Sequence, residues 1–434
     1  MSKRVLMILF LMVILNPLPL FAYLDPGSGS MLFSAVIGIV ATLFFVIKGV
    51  FFKILDIPAY FAGVGKVKRG KHSIVFYSEG SQYWKVFMPV IRELDKRGVK
   101  LTYISSEEND PGLMCGYKNV ETKFIGTGNK AFFYLNTLSA DICVMTTPGL
   151  NVLQIKRSKG VRKYVHITHS AGGCSGYSAF GLDYYDVVLT GGEGDLEFIR
   201  TIEKVRNLPE KTIEIIGCTY LDFMREKVSD IENKSEKTDE KITVLLSPTW
   251  GSHGLLNKYG ESILDKLVNS GRFKVVIRPH PQSYISEKKV IEDLMVRFPE
   301  SLDTVWDKEA DGLESMKKAD IMISDFSGIV FDFVFLFQRP VLTFATQYDR
   351  RGKDSMDYPE IPWNLRSLEN IGKALEEKDI ENICSIIENI AGAGIEEDVL
   401  TELRNGMDKY PGMSGNIGAD FIENTIVQKG GVSK

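Results

Sequence analysis

The chain has 434 residues, too many for one ordinary core, so two domains with additions are expected. Its 44% hydrophobic and 25% charged content is that of a globular protein, and a net charge of −4 argues against nucleic acid as a partner. The five cysteines (Cys115, Cys143, Cys174, Cys218 and Cys384) are scattered without a CxxC pair, which speaks against a disulfide framework or a zinc site.

The N-terminus departs from this globular pattern. Ser2-Lys3-Arg4 leads into the apolar Val5–Leu15 and then Asn16–Ala22, a signal peptide cut after Ala22 or a short membrane helix. Met31–Ile47 is almost uncharged and the run continues to Leu55, broken by Lys48 and Lys53. About 20 apolar residues span a bilayer, so a transmembrane helix is predicted over about residues 31–52, within a membrane anchor covering 1–60. Lys3 and Arg4 before the first segment, and Lys48, Lys53, Lys66, Lys68, Arg69 and Lys71 at or beyond the end of the second, keep both ends cytoplasmic. The expected location is the inner (plasma) membrane, with the Asp25 turn outside and the body in the cytoplasm.

From residue 72 to 226 strands and helices alternate. Ser73–Tyr77, Leu101–Ile104, Asp141–Met145, Tyr164–Ile167, Asp186–Leu189 and Ile213–Ile216 read as strands, and Trp84–Arg97 has helical spacing. That alternation predicts a doubly wound, largely parallel sheet. Residues 227–241 are charged and poor in apolar side chains, and read as a linker. A second alternating unit spans 242–365, and the tail, 366–434, reads as helical with a break at Ala391–Gly394.

Three strand ends in the second unit carry candidate chemistry. Ser324-Asp325-Phe326-Ser327-Gly328 joins the apolar Ile321–Ile323 to the predicted helix Ile329–Gln338. A helix N-terminus presents unpaired N–H groups and a positive dipole end, which suit a phosphate. Val275-Val276-Ile277 ends in Arg278-Pro279-His280-Pro281, and Val244-Leu245-Leu246 ends in Ser247-Pro248-Thr249-Trp250-Gly251. Ligands of open α/β sheets bind at such ends, and arginine and histidine both bind phosphate oxygens. A nucleotide site is therefore expected in this half.

In order, Pro248-Thr249-Trp250, Arg278-Pro279-His280, Ser324-Asp325-Phe326-Ser327, Phe331-Asp332 and Arg339-Pro340 resemble the CDP-glycerol glycerophosphotransferases, which prime and polymerise wall teichoic acid. The resemblance runs over roughly residues 241–357, more weakly back to about His72, and takes in Gln347-Tyr348-Asp349. Two positions depart from the pattern: Gly328 replaces a frequent second serine, and Thr168-His169-Ser170 stands for the usual Trp-His-Gly. The resemblance implies an α/β fold of two Rossmann-like domains facing a cleft, of the glycosyltransferase B type. The donor would be CDP-glycerol or a related CDP-alditol such as CDP-ribitol, the acceptor a hydroxyl of a lipid-linked cell-envelope glycan, and the product CMP.

The catalytic candidates are His169, as general base, and His280. Donor and phosphate contacts are expected from Thr249, Arg278, Ser324, Asp325, Ser327 and Gly328. Asp325 is read first as a loop organiser, then as a hydroxyl contact. His166 and Asp332 are read as structural, His253 is left open, and Gly191-Gly192-Glu193-Gly194-Asp195 could form a second rim of the cleft or simply start a helix. No DxD or His/Cys cluster calls for a metal, and no cofactor is expected. A glycosyltransferase or epimerase acting on a UDP-sugar, or a scaffold without catalysis, are the competing readings.

Overall fold

The computed structural model describes residues 72–232, 241–309, 312–344, 346 and 348–427. The predicted membrane anchor, and most of the predicted linker, lie outside these residues. Among the described residues no helix is long and apolar enough to cross a membrane.

Two all-parallel sheets form the body. The first holds β1 His72–Ser78, β2 Leu101–Ser105, β3 Val120–Phe124, β4 Ser139–Met145, β5 Gly160–Ile167, β6 Val187–Thr190 and β7 Thr212–Ile215, in the order β3-β2-β1-β4-β5-β6-β7. The second holds β8 Ile242–Leu246, β9 Phe273–Ile277, β10 Thr304–Trp306, β11 Ile321–Ser324, β12 Val341–Phe344 and β13 Gly372–Leu375, in the order β10-β9-β8-β11-β12-β13. Central strands such as Ile142-Cys143-Val144-Met145 are buried end to end, because helices cover both faces of a parallel sheet.

Each sheet reverses its winding direction once, between β1 and β4 and between β8 and β11, and a crevice opens at such a point. Register sets what meets there. Leu246 pairs with Ile277 and with Ile323, so β8, β9 and β11 end level and their loops share one rim.

Helix α1, Trp84–Lys96, buries Val86, Phe87, Val90, Ile91 and Leu94 on one stripe, and Gly98, at φ +74°, ends it. Helix α2, Glu193–Val205, follows β6, and helix α3, Thr219–Glu232, follows β7. The predicted linker is therefore helical at its start. In the second unit α4, Leu255–Asn269, follows β8, and α5, Ile329–Phe337, follows β11. One apolar core runs from Phe76, Val144 and Val165 through Met224 and Phe331 to Leu245 and Met322, so the two sheets share a continuous interior.

The tail, read from the sequence as mostly helical, also contains a strand. Its segment Gly372–Leu375 is β13, added to the second sheet beside β12. Helix α6, Glu397–Met407, then packs on α2, and α7, Ser414–Val427, packs on α1 and α3. The tail thus returns to the first domain. Buried carboxylates pin it there: Asp222 accepts from the Gly412 and Ser414 amides, and Asp408 accepts from the Cys218 amide. The Gly191–Asp195 glycines serve this packing. A Cβ at Gly191 would stand 2.0 Å from the Met407 carbonyl oxygen, and one at Gly192 2.4 Å from the Gly406 carbonyl.

Candidate active site

A cavity of about 280 Å³ lies between the strand ends of the two sheets. His169, Ser170, Gly172 and Tyr177 line it from the first domain; Thr249, His280, Phe326, Ser327, Gly328 and Lys353 line it from the second. The two backbones come close here: a Cβ at Gly172 would stand 3.5 Å from Gly328 Cα.

His169 lies two residues beyond the end of β5 and is half-buried. Its ring stacks on Tyr177, with centroids 4.9 Å apart, and meets Tyr83 edge-on at 5.6 Å. Nδ1 lies 3.2 Å from Thr146 Oγ1 and 3.1 Å from the Tyr177 hydroxyl. Thr146 donates its only hydroxyl proton to the Ile167 carbonyl at 2.8 Å, so toward His169 it can only accept. Taking Tyr177 as the acceptor from Nδ1 as well assigns the ring proton to Nδ1 and leaves Nε2 as the acceptor. The Tyr177 hydroxyl also meets Nε2 of His166 at 3.2 Å, and His166 is fully buried, in keeping with a structural role. Burial pulls His169 down to about 4, against a smaller upward push from Thr146, so at neutral pH the ring is uncharged.

His280 has the opposite tautomer. The Gln282 amide donates to its Nδ1 at 3.1 Å, so the proton sits on Nε2, which is a donor. Burial lowers its pKa, and Arg278 adds to this against Glu287, so it too acts as a neutral group. Trp250 lies beside it, with ring centroids 6.3 Å apart. One histidine able to accept a proton and one able to donate a hydrogen bond thus face one cavity. The first turn of α5, with the Ser327 hydroxyl and the exposed Gly328 backbone, completes its floor.

Two predicted phosphate contacts, Arg278 and Ser324, are engaged elsewhere, and Asp325 takes the loop-organising role read first for it. Arg278 is buried, and its guanidinium donates to Asp307 Oδ2 at 2.8 Å and to the Glu309 carbonyl at 2.9 Å. Asp307 follows β10, the immediate neighbour of β9, so the arginine finds a carboxylate in its own sheet. Burial raises the pKa of Asp307, but bonds from Ser315, the Glu309 amide and Arg278 outweigh it and hold the carboxyl below its ordinary value. Ser324 is wholly buried and donates to the Ser247 carbonyl at 2.6 Å, tying β11 to β8. Asp325 is 1% exposed and accepts from the Thr249 and Leu255 amides, each at 2.9 Å. It shapes the Thr249 loop and supplies the N-terminal cap that Gly254 cannot give to α4.

Several lining residues carried no sequence signal. Tyr177 lies beyond the strand that announced His169, in a loop without periodicity. Lys353 and Asn364 stand past the last residue-rich strand end. Asn364 donates to the Gly172 carbonyl and accepts from the Ser175 hydroxyl, both at 2.9 Å, so it ties the His169 loop to the second half of the chain. Asp332 meets the Tyr220 hydroxyl at 3.0 Å and joins α5 to α3. Arg339 donates to the Lys317 and Ala319 carbonyls, closing the end of a short helix.

Residues 195–370 match the family model for CDP-Glycerol:Poly(glycerophosphate) glycerophosphotransferase. No curated protein matches the chain. Among solved structures it is similar to the wall teichoic acid polymerase TagF, in a variant soaked with CDPG, at a TM-score of 0.55 and 15% identity over 83% of this chain and 90% of that one. It is also similar to the UDP-GlcNAc 2-epimerase of Neisseria meningitidis bound to UDP-GlcNAc (TM-score 0.50, 15% identity, 82% and 100% covered). A third is MnaA of S. aureus with UDP (TM-score 0.54, 10% identity, 82% and 97% covered). At these identities the likenesses show the fold, two Rossmann-like domains of the glycosyltransferase B type. The segment that matches the CDP-glycerol glycerophosphotransferase family model contains Thr249, His280, Ser327, Gly328 and Lys353, all on the second-domain wall of the cavity.

Proposed function

We propose that the chain transfers a glycerol-phosphate or ribitol-phosphate unit from a CDP-alditol to a hydroxyl of a lipid-linked envelope glycan, releasing CMP. The observation that carries this reading is the placement of His169 and His280 on one cavity, one from each domain, each with its Nδ1 engaged by a hydrogen bond. The acceptor hydroxyl would give its proton to His169 Nε2 as its oxygen attacks the β-phosphorus. The bond from that phosphorus to the bridging oxygen breaks, and its electron pair leaves with CMP. His280 Nε2–H, the Ser327 hydroxyl and the first amides of α5 would hold the diphosphate and the charge developing on it, the positioning and electrostatic work that phosphoryl transfer needs. The apolar stretch at about residues 31–52 would keep this body at the cytoplasmic face of the membrane, near a lipid-linked acceptor.

The test is CMP release by membranes carrying the protein, with CDP-glycerol, CDP-ribitol and UDP-sugars offered separately. Release of CMP from one CDP-alditol is expected. UDP from a sugar nucleotide would replace this reading with a glycosyltransferase one.

Gly328 offers a second check. Nothing lies within 4 Å of the place a Cβ would take, and its backbone is right-handed helical, so serine fits without strain. Gly328→Ser should bind CDP-glycerol roughly 2- to 10-fold more tightly through one added hydrogen bond. A titration showing equal or weaker binding would mean that no phosphate reaches this end of α5.

A further inference from the structure

With Arg278 committed to Asp307 and both histidines neutral, the cavity still needs a cation for a diphosphate. Among the described residues that line it, Lys353 is the one lysine or arginine. Among the described residues no carboxylate forms an ion pair with it. Its Nζ lies 4.1 Å from the centroid of the Tyr348 ring, which in turn packs edge-on against Phe326 at 5.1 Å. An ammonium over an aromatic face is held in place while its N–H donors remain free.

The backbone that carries Lys353 is fixed to the other domain. Lys353 pairs with Ser178 in an antiparallel bridge, the Ala179 amide donates to the Gly352 carbonyl at 2.9 Å, and the Asp354 amide donates to the Tyr177 carbonyl at 2.8 Å. Asp354 accepts from the Phe180 and Gly181 amides. Arg206, at the end of α2, clamps Asp183, Asp354 and Asp357 together, with its guanidinium over the Phe180 ring. A loop of the second domain is thus laid along the segment holding Tyr177, the residue that stacks under His169. The ammonium and the histidine are positioned by one shared strip of backbone.

We propose that Lys353 binds the diphosphate of the donor and neutralises the charge that collects on departing CMP, an inference that rests on the CDP-alditol reading above. A lysine here takes the part that the sequence pattern suggested for Arg278. Its position at the domain junction links donor binding to the placement of His169.

The test uses full-length protein in membranes and three titrants: CDP-glycerol, CMP and uncharged cytidine. Lys353→Met should weaken CDP-glycerol roughly 10- to 100-fold, the loss of one charge-assisted contact, and leave cytidine unchanged. Lys353→Arg should recover most of that loss, and the salt dependence of CDP-glycerol binding should flatten in Lys353→Met. Equal CDP-glycerol affinity in wild type and Lys353→Met would overturn the assignment and leave the donor reading standing. Equal losses for cytidine and CDP-glycerol would also overturn it, since the loop would then be acting as structure. If wild type binds no CDP-glycerol and releases no CMP, the donor reading itself falls and takes this one with it.

Discussion

His169→Ala should lower CMP release by about 10²- to 10⁴-fold, the range for loss of a positioned base, while CDP-glycerol still binds. His280→Ala should instead weaken donor binding, because its Nε2–H would touch the diphosphate rather than the acceptor. The pH dependence separates this from an ordinary histidine. His169 is held down to about 4 by burial, so in the free protein Nε2 is bare at every pH above that. The acid limb of kcat/KM should therefore fall near pH 4, not near the ~6.5 of a free imidazole. A bound diphosphate brings negative charge next to the ring and favours the protonated form, so the acid limb of kcat should lie higher than that of kcat/KM. Thr146→Val removes the acceptor that fixes the proton on Nδ1, and should reduce kcat with little change in donor affinity. Normal turnover by His169→Ala would remove this histidine from the mechanism.

Asp325→Ala should cost about 3 kcal/mol of stability, because it strands two buried backbone N–H groups, those of Thr249 and Leu255. In a domain of this size that is roughly 10 °C in Tm. The effect has a pH signature. Burial pushes Asp325 up to about 6, and hydrogen bonds from Thr249, Leu255 and its neighbours pull the other way without cancelling it. Between pH ~4, where an unfolded aspartate titrates, and about 6, the folded state holds a proton that the unfolded state has lost. This group's contribution is therefore fully present below pH ~4, declines as pH rises through that window, and is flat above it. Asp325→Ala should lack that decline in a plot of Tm against pH. An unchanged Tm would show that the Thr249 loop and the start of α4 need no tie from the β11 loop, and the carboxylate would then be free for substrate.

The two positions illustrate how a strand-end motif divides on folding. Ser324-Asp325-Phe326-Ser327-Gly328 reads as one phosphate loop. In the fold its first two residues turn inward to join β11 to β8, and only its last three line the cavity. The same holds at β9, where His280 reaches the cavity and Arg278, two residues earlier, does not. Both splits fall in loops beyond the strand ends (β9 ends at Ile277, β11 at Ser324), where the alternation of sides along an extended chain no longer applies. Which side is the cavity depends on strands paired from far along the sequence.

Apolar runs bounded by polar turns were enough to locate most strands of the two sheets and to make them parallel, because a strand buried on both faces must be apolar throughout. The order of the motifs along the chain was enough to point to loops that line the cavity and to His169 beside them. These are local properties, written in each segment's own composition. Folding decided what depends on partners distant in sequence. Asp307, 29 residues on, took Arg278 from the site. Gly372–Leu375, short and largely exposed, became a strand because β12 offered it an unpaired edge. Lys353 and Tyr177 entered the cavity because Arg206 and Asp354 lay one domain's loop along the other's. An ion pair or a sheet edge belongs to two segments at once, so neither segment alone announces it.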